Sequence, residues 1–378
     1  MTTRNRGPRV AASMRVLVTG AAGLIGGEFA GLLAGRGHGV IALVHRNTAL
    51  SRGDGRPLAA SPWAGTPPRP GEVVTLAGDV RRPALGLEAA RCAALAGGLD
   101  LIAHCAATTG FDLAPSVHHE VNVAGTANVV AFAERGGPRP IPLLHVSTAY
   151  VCGERSGPVG EDELDAGQAF ANAYEASKAE AERLVAAASG RGLPVAVARP
   201  SIVVGASADG AIGRFDGLYA MIRLVAEGRI RTIPANPGAS LDLVPIDHVT
   251  EGLADIAERM DAAAGRNFHL TSGAPVPVTA LAALAVDYPE FHAPRFVVPE
   301  AFDPARLPPS ERRVYQQVTA LYASYFRRDP RFRDDNLRAL CGRACPPLGR
   351  TFLRRLIDHC IAAGFLREDR VAAQRTSG

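Results

Sequence analysis

The sequence is almost without lysine: of its 41 Lys and Arg positions, 40 are arginine and only Lys178 is not. It also lacks a charge excess, since a formal net charge of +4 over 378 residues gives no electrostatic case for a nucleic-acid partner. No stretch approaches the roughly 18 continuous apolar residues that span a membrane, so a soluble protein is expected. The first residues, "MTTRNRGPRVAAS", carry arginines but no apolar core or small-residue cleavage pattern. They predict a disordered leader over 1–13 rather than a signal peptide. The six cysteines, Cys92, Cys105, Cys152, Cys341, Cys345 and Cys360, lack the paired spacing of a zinc site and sit mostly in apolar segments. Reduced thiols, no metal and a cytoplasmic location are expected. Cys341 and Cys345 could form a ligand pair, but no second pair follows them.

What is present is a globular composition, 47% hydrophobic and 21% charged, long enough for one large domain and a smaller one. Apolar, β-rich runs alternate with helical patterns: "RVLVTG", "GVIALVH", "EVVTLAGD", "LDLIAHCAA", "PLLHVSTAYV" and "LPVAVARPSIVVG". That alternation predicts an α/β fold with a Rossmann-type, doubly wound parallel sheet over residues 14–210. Between the second and third runs, "SRGDGRPLAASPWAGTPPRPG" is rich in Gly and Pro and predicts a surface loop. Past about residue 210, helical patterns near 212–227, 247–262, 310–327 and 349–364 interleave with the short strands "RTIPAN", "LDLVPI" and "RNFHLT". Residues 211–378 are therefore expected to form a smaller, mainly helical substrate-binding region, with some segments returning to the Rossmann domain. No internal repeat is present.

"VTGAAGLIGGEF" places Gly20, Gly23 and Gly26 between a strand and a helix, with Thr19 before them and Leu24 and Ile25 at the helix start. Glycines there allow a tight turn and close backbone approach, so the helix N-terminus can face a pyrophosphate. An acidic residue that would hold a free ribose diol is missing from the end of the second strand, "ALVHRN". His45 and Arg46 stand there, followed by Arg52 and Arg56, which suits the extra phosphate of NADP. Alternatively, these arginines are solvated loop residues.

Tyr174 and Lys178 lie four apart in the helical pattern "FANAYEASKAEAERLV", so they share a face. A phenol titrates near 10, and a fixed cation beside it lowers that value toward neutrality. A compact ammonium can do this and also hold a ribose; a planar guanidinium fits neither task as well. Upstream, "HVSTAYVCG" presents the hydroxyls of Ser147 and Thr148 at the end of a strand.

These motifs resemble the extended short-chain dehydrogenase/reductase superfamily, whose working set is Ser/Thr, Tyr and Lys. Aligning Gly153 with the glycine that closes its strand motif puts Thr148, not Ser147, at the catalytic hydroxyl. The resemblance implies that Thr148 holds a carbonyl oxygen, Tyr174 gives it a proton and Lys178 tunes Tyr174. "GDVRRPALGL", "HCAATTGFD" and "VNVAGTANVV" are similar to the male-sterility-like branch. That branch holds fatty acyl-CoA reductases, the reductase domains of carboxylic acid reductases, and terminal thioester reductases of peptide and polyketide assembly lines. The likeness covers roughly 14–270. It implies that Asp79 and Val80 contact adenine, Ala106 and Ala107 line the cofactor, Asn122 supports the site, and Pro200 and Ser201 lie near the nicotinamide. Asp79 could instead cap a turn.

Past residue 300 the resemblance is one of pattern. With no adenylation or carrier domain in view, a thioester is expected to arrive from outside the chain. Residues 301–378 hold 15 Arg against 8 Asp and Glu, a local +7 that could receive an acidic carrier protein or the phosphates of CoA, or be an ordinary helical face. The expected activity is NADPH-dependent reduction of an acyl thioester to an aldehyde or alcohol. The alternatives are an epimerase, dehydratase or hydroxysteroid-type dehydrogenase of the same superfamily, and an NADP-sensing binding protein.

Overall fold

The apolar runs become strands buried on both faces. The computed structural model describes residues 13–135 and 139–366, so the leader expected over 1–13 lies, apart from Ser13, outside the described residues. Eight strands form one sheet: β1 (Arg15–Thr19), β2 (Gly39–Val44), β3 (Ser61–Pro62), β4 (Val73–Ala77), β5 (Leu101–His104), β6 (Leu143–Val146), β7 (Val195–Pro200) and β8 (Asn267–Leu270). Their order is β8-β7-β6-β5-β1-β2-β4-β3, and every pairing is parallel. The chain winds outward from β1 in one direction and from β5 in the other. This reversal leaves a crevice at the C-terminal ends of β1 and β5, where open α/β sheets take their ligands.

Side-chain alternation divides the sheet between two cores. Leu17, Ile41, Leu43 and Ile102 pack with Val129, Ala133, Val185 and Ala188, which come from α3 (Gly125–Arg135) and α4 (Ala173–Gly190). Val16, Val18, Val40 and Ala42 pack with Phe29 and Leu33 of α1 (Leu24–Gly35) and Val249 and Leu253 of α6 (Ile246–Glu258). A third core, including Tyr150, Tyr219, Leu224, Phe326, Phe352 and Leu356, lies mostly beyond residue 204. It draws on α5 (Leu218–Ala226), α7 (Val278–Ala283) and α9 (Arg350–Ala362). Its apolar faces roof the crevice.

Three details depart from the sequence expectation. The Gly/Pro-rich segment after β2 is not wholly a surface loop, because Ser61–Pro62 pairs with β4 and Trp63 is buried beside it. The indole offers more apolar area than any other side chain there, and its Nε1 donates to the Thr66 carbonyl at 2.8 Å. "RNFHLT" joins the main sheet as β8 rather than a second layer. The helix expected over 212–227 begins only at Leu218, since Gly217 takes a positive φ of 54° and breaks the helical path. Among the described residues no helix is long and apolar enough to cross a membrane, and the six cysteines are free.

Candidate active site

The β1–α1 turn is shaped by three glycines. Gly20 takes φ 68°, and a Cβ there would lie 2.6 Å from the Ala106 backbone after β5. A Cβ on Gly26 would stand 2.3 Å from the Gly20 carbonyl oxygen, so α1 can pack this closely only with glycine. Gly23 is the N-cap of α1, with no side-chain cap and no acid in the first turn. The first-turn N–H groups of α1, including those of Leu24 and Ile25, therefore have no intrahelical acceptor. Gly20, Gly23, Arg46, Asp79, Val80, Ala106 and Ala107 line one cavity of about 420 Å³. Thr19 is not on its surface: fully buried, its Oγ1 meets His104 Nδ1 at 2.8 Å and accepts from Ala106 N at 3.3 Å. Thr19 thus anchors the loop that holds Ala106. Burial pushes His104 down to about 3, so it is a neutral bridge, its Nε2 lying 3.0 Å from Thr126 Oγ1.

At the adenine end, the arginines noted in the sequence separate into two kinds. Arg52 makes a two-pronged pair with Glu28 of α1 (Nε–Oε2 2.8 Å, Nη2–Oε1 2.6 Å), and Arg56 pairs with Asp54 at 2.5 Å. Both fasten the loop to itself or to α1. Arg46 remains exposed at the cavity rim with no acidic partner among the described residues. The sequence reading missed Arg81, which joins it there. The Arg81 guanidinium donates to Asp79 Oδ2 at 2.8 Å and, with burial opposing, holds that carboxyl down at about 2. Its only sequence signal was its place after Asp79-Val80.

The second cavity, about 720 Å³, is lined by Ala107, Thr148, Tyr174, Ser201 and residues of the third core. Ala107 and Arg214 line both cavities, so the two meet there. No feature of "GRFDG" marked Arg214 in advance.

Tyr174 enters the second cavity from the first turn of α4. Asn172 caps that helix through Oδ1, accepting from Glu175 N at 2.9 Å, while Glu175 Oε2 accepts from Ala171 N at 3.1 Å. Burial pushes the phenol up to about 12; its hydrogen bond with Thr148 works against this, and the charge of Glu175 adds to it. Thr148 Oγ1 also donates to the Pro200 carbonyl at 3.3 Å. Ser147, one residue earlier, points into the interior with its hydroxyl unpartnered among the described residues.

Lys178 lies one turn beyond Tyr174 and is 1% exposed, its Nζ donating to the Val146 carbonyl at 2.9 Å. Burial lowers it to about 8, with Glu182 opposing. The phenol is thus raised in this structure rather than lowered, with burial the largest cause. Asn122, in a π-helical turn, accepts from Thr108 N at 2.8 Å and donates to Ser177 Oγ at 2.9 Å, tying the β5 loop to α4. Ser201 donates to Asp242 at 2.5 Å, whose carboxyl is raised by burial.

Behind Tyr174 lies a network that spacing alone could not reveal. Glu175 is fully buried and pairs with Arg328 at 2.5 Å, while Tyr325 Oη donates to the same carboxylate at 2.9 Å. The Arg328 guanidinium lies over the rings of Tyr150 and Tyr325, at 4.9 and 4.5 Å from their centroids.

A glycine-lined cleft at the switch point of a parallel sheet thus opens onto a Thr–Tyr pair with a buried lysine behind it, the make-up of a dinucleotide site beside an acid–base pair. A profile of the male sterility protein family matches residues 18–253, and the chain belongs to that family, in agreement with the motifs noted above. It is 28% identical over 202 residues to a linear gramicidin synthase of Brevibacillus parabrevis, covering 52% of this chain and 4% of that one. It is 28% identical over 280 residues to 2-alkyl-3-oxoalkanoate reductase of Stenotrophomonas maltophilia, covering 71% and 73%. Among solved structures, the terminal R domain from the myxalamid PKS-NRPS biosynthetic pathway shares its fold, with a TM-score of 0.75, 23% identity, and 94% and 93% of the two chains covered. The chain spans only 4 to 20% of the length of the first curated relatives it matches.

Proposed function

We propose that this chain is an NADPH-dependent reductase of acyl thioesters, releasing an aldehyde or, after a second reduction, an alcohol. The observation that carries the reading is the Thr148–Tyr174 hydroxyl pair in a large cavity that meets the dinucleotide cleft at Ala107 and Arg214. Residues 14–210 would bind the dinucleotide and 211–378 would shape the acyl site.

The residues present fit a dinucleotide. The uncapped first turn of α1 suits a pyrophosphate, and the Gly20–Ala106 contact leaves the backbone bare along its path. Asp79 and Val80 would flank the adenine. Arg46 at the rim, with no acidic partner among the described residues and no acid ending β2, favours NADPH over NADH, whereas Arg81 beside it is held by Asp79 and Glu120.

When bound, the reduced nicotinamide supplies the hydride received by the carbonyl carbon. Tyr174 is protonated throughout the neutral range and donates its proton to the carbonyl oxygen as charge gathers there. Thr148, turning its single O–H from the Pro200 carbonyl, contributes a second hydrogen bond to that oxygen. Lys178, charged below about pH 8, supplies a fixed cation behind the pair and a donor for the ribose. The hemithioacetal so formed expels its thiol and leaves the aldehyde.

The acyl group would arrive on CoA or on a carrier protein. Part of the arginine excess past residue 300 is balanced by acids from earlier in the chain: Arg328, Arg343 and Arg350 pair with Glu175, Asp255 and Asp287. An acidic carrier would therefore meet a weaker field than +7 suggests.

A second reading follows from the match to 2-alkyl-3-oxoalkanoate reductase over most of both chains: reduction of the ketone of a 3-oxo acid at the same hydroxyl pair. Incubation with NADPH and either acyl thioesters or 3-oxo acids, with products identified by mass, separates the two. Aldehyde or alcohol from a thioester supports the first; turnover of 3-oxo acids alone supports the second. Comparing one acyl group on a carrier protein and on a pantetheine mimic across ionic strengths then tests the carrier.

A further inference from the structure

Arg214 reaches the dinucleotide cleft from outside the part of the chain that builds it. The other residues lining that cleft fall between Gly20 and Val121, whereas Arg214 belongs to the irregular segment before α5. Three guanidinium groups line the cleft. Arg46 and Arg81 stand at the adenine end with Asp79, and Arg214 stands where the cleft meets the cavity of Thr148 and Tyr174. The backbone around Arg214 is fastened on both sides. Gly213 N donates to the Gly53 carbonyl at 2.7 Å, and a Cβ on Gly213 would lie 2.5 Å from the Gly55 backbone. Gly53 N in turn donates to Glu28 Oε2 at 2.8 Å, which ties the segment to α1, the helix whose N-terminus faces the cleft. On the other side, Phe215 stacks on Phe365 with centroids 4.4 Å apart, and the Ile212 backbone meets His359 of α9. The Arg214 side chain is held only weakly: its ion pair is with Asp216 at 3.2 Å, and both groups are largely exposed.

The uncapped first turn of α1 offers a diphosphate N–H groups and a helix-end charge of roughly half a unit, less than the anion carries. Arg214 is the full cation lining the cleft at its catalytic end. We infer that Arg214 is a binding residue for the diphosphate of the dinucleotide, its guanidinium leaving Asp216 to pair with the phosphate nearer the nicotinamide. The exchange is favourable because a phosphate offers the guanidinium fork two charged oxygens, against a single contact with an exposed carboxylate. The region past residue 210 then completes the dinucleotide site. NADPH and NADH share this phosphate, so Arg214 adds affinity without discrimination, in contrast to Arg46. The inference rests on the dinucleotide reading of the cleft and is independent of whether the reduced substrate is a thioester.

The test is calorimetric titration of the full chain, without acyl substrate, with NADPH, NADH and the adenosine bisphosphate portion of NADP, which lacks the nicotinamide-side phosphate. Arg214→Ala should weaken NADPH and NADH by the same factor, about tenfold, because the pair forms at an exposed site. It should leave the adenosine bisphosphate bound as in the wild type. Arg46→Ala should show the opposite pattern, weakening NADPH and the bisphosphate and sparing NADH. Arg214→Lys should recover part of the loss, since it restores the charge but not the fork. Unchanged affinity for both dinucleotides in Arg214→Ala would overturn the inference. An equal loss of the adenosine bisphosphate would also overturn it, because the residue would then act through the fold. So would a raised KM for the acyl substrate with cofactor affinity unchanged, which would assign Arg214 to the substrate. A wild type that binds neither dinucleotide would instead overturn the dinucleotide reading, and the inference with it.

Discussion

Replacing Arg46 by alanine should weaken NADPH and spare NADH, because only the former carries a phosphate for the rim guanidinium to hold. A hydrogen bond between charged groups contributes about 1.5–3 kcal/mol, or roughly 10- to 150-fold in an equilibrium. Arg46 is exposed, and Arg81 stands at the same rim, so screening and a second cation move the expectation to the lower end, about 10-fold. Arg52→Ala is the control. Its guanidinium is engaged by Glu28, which also accepts from Gly53 N at 2.8 Å, so its loss should loosen the loop, cost about 1 kcal/mol of stability and affect both cofactors alike. The assay is KM for each cofactor at a fixed thioester concentration, with dissociation constants measured separately by titration. The wild-type NADPH affinity should also fall with salt more steeply than that of Arg46→Ala. Equal losses for NADPH and NADH, or a larger discrimination effect from Arg52→Ala, would refute the assignment.

Tyr174→Phe should lower turnover by about two to four orders of magnitude with NADPH binding nearly intact. Thr148→Val should also be damaging, whereas Ser147→Ala removes a buried hydroxyl without a partner and should leave turnover close to wild type and raise thermal stability slightly; steady-state kinetics with a melting curve checks both. Lys178→Arg retains charge but forces a larger group into a site 1% exposed, so turnover should fall about 100-fold or more. In the wild type, burial has lowered Lys178 to about 8, so it loses its proton as pH rises through that value and kcat should decline; the arginine variant should lack this alkaline limb. Burial raises Glu161 from its ordinary 4.5 to about 7, against backbone donors from His269 and Asn336. A raised carboxyl contributes stability that is complete below 4.5 and lost as pH rises through about 7, about 3 kcal/mol in all. Urea denaturation should show this slope in the wild type and a flatter one in Glu161→Gln.

The parts legible in sequence were those governed by local spacing. The period of the apolar runs carried the sheet, and the spacing of four between Tyr174 and Lys178 carried their shared place on α4. The preference for Thr148 over Ser147 came from the resemblance, through Gly153, and it is Thr148 that lines the cavity with Tyr174. What remained hidden depended on partners far along the chain. Arg46 and Arg52 look alike in sequence, and only the position of Glu28 on α1 makes one a loop tether. Trp63 docks on the edge of the sheet because its apolar area outweighs the turn chemistry around it. Arg214 reaches the junction of two cavities from an irregular segment with no periodicity to mark it.

Glu175 ties the region past residue 300 to the candidate site in a way that its loose sequence resemblance did not suggest. Its carboxylate lies one residue from the proposed proton donor, sealed from water, and its balancing charge comes from Arg328 more than 150 positions away. Lifting the covering helices as a lid would strand that charge in an apolar wall. The roof is therefore better described as a keystone than a door. Substrate would enter along the cavity rather than beneath a raised cover, and a chimera exchanging this region between relatives would have to carry Arg328 and Tyr325 together with Glu175.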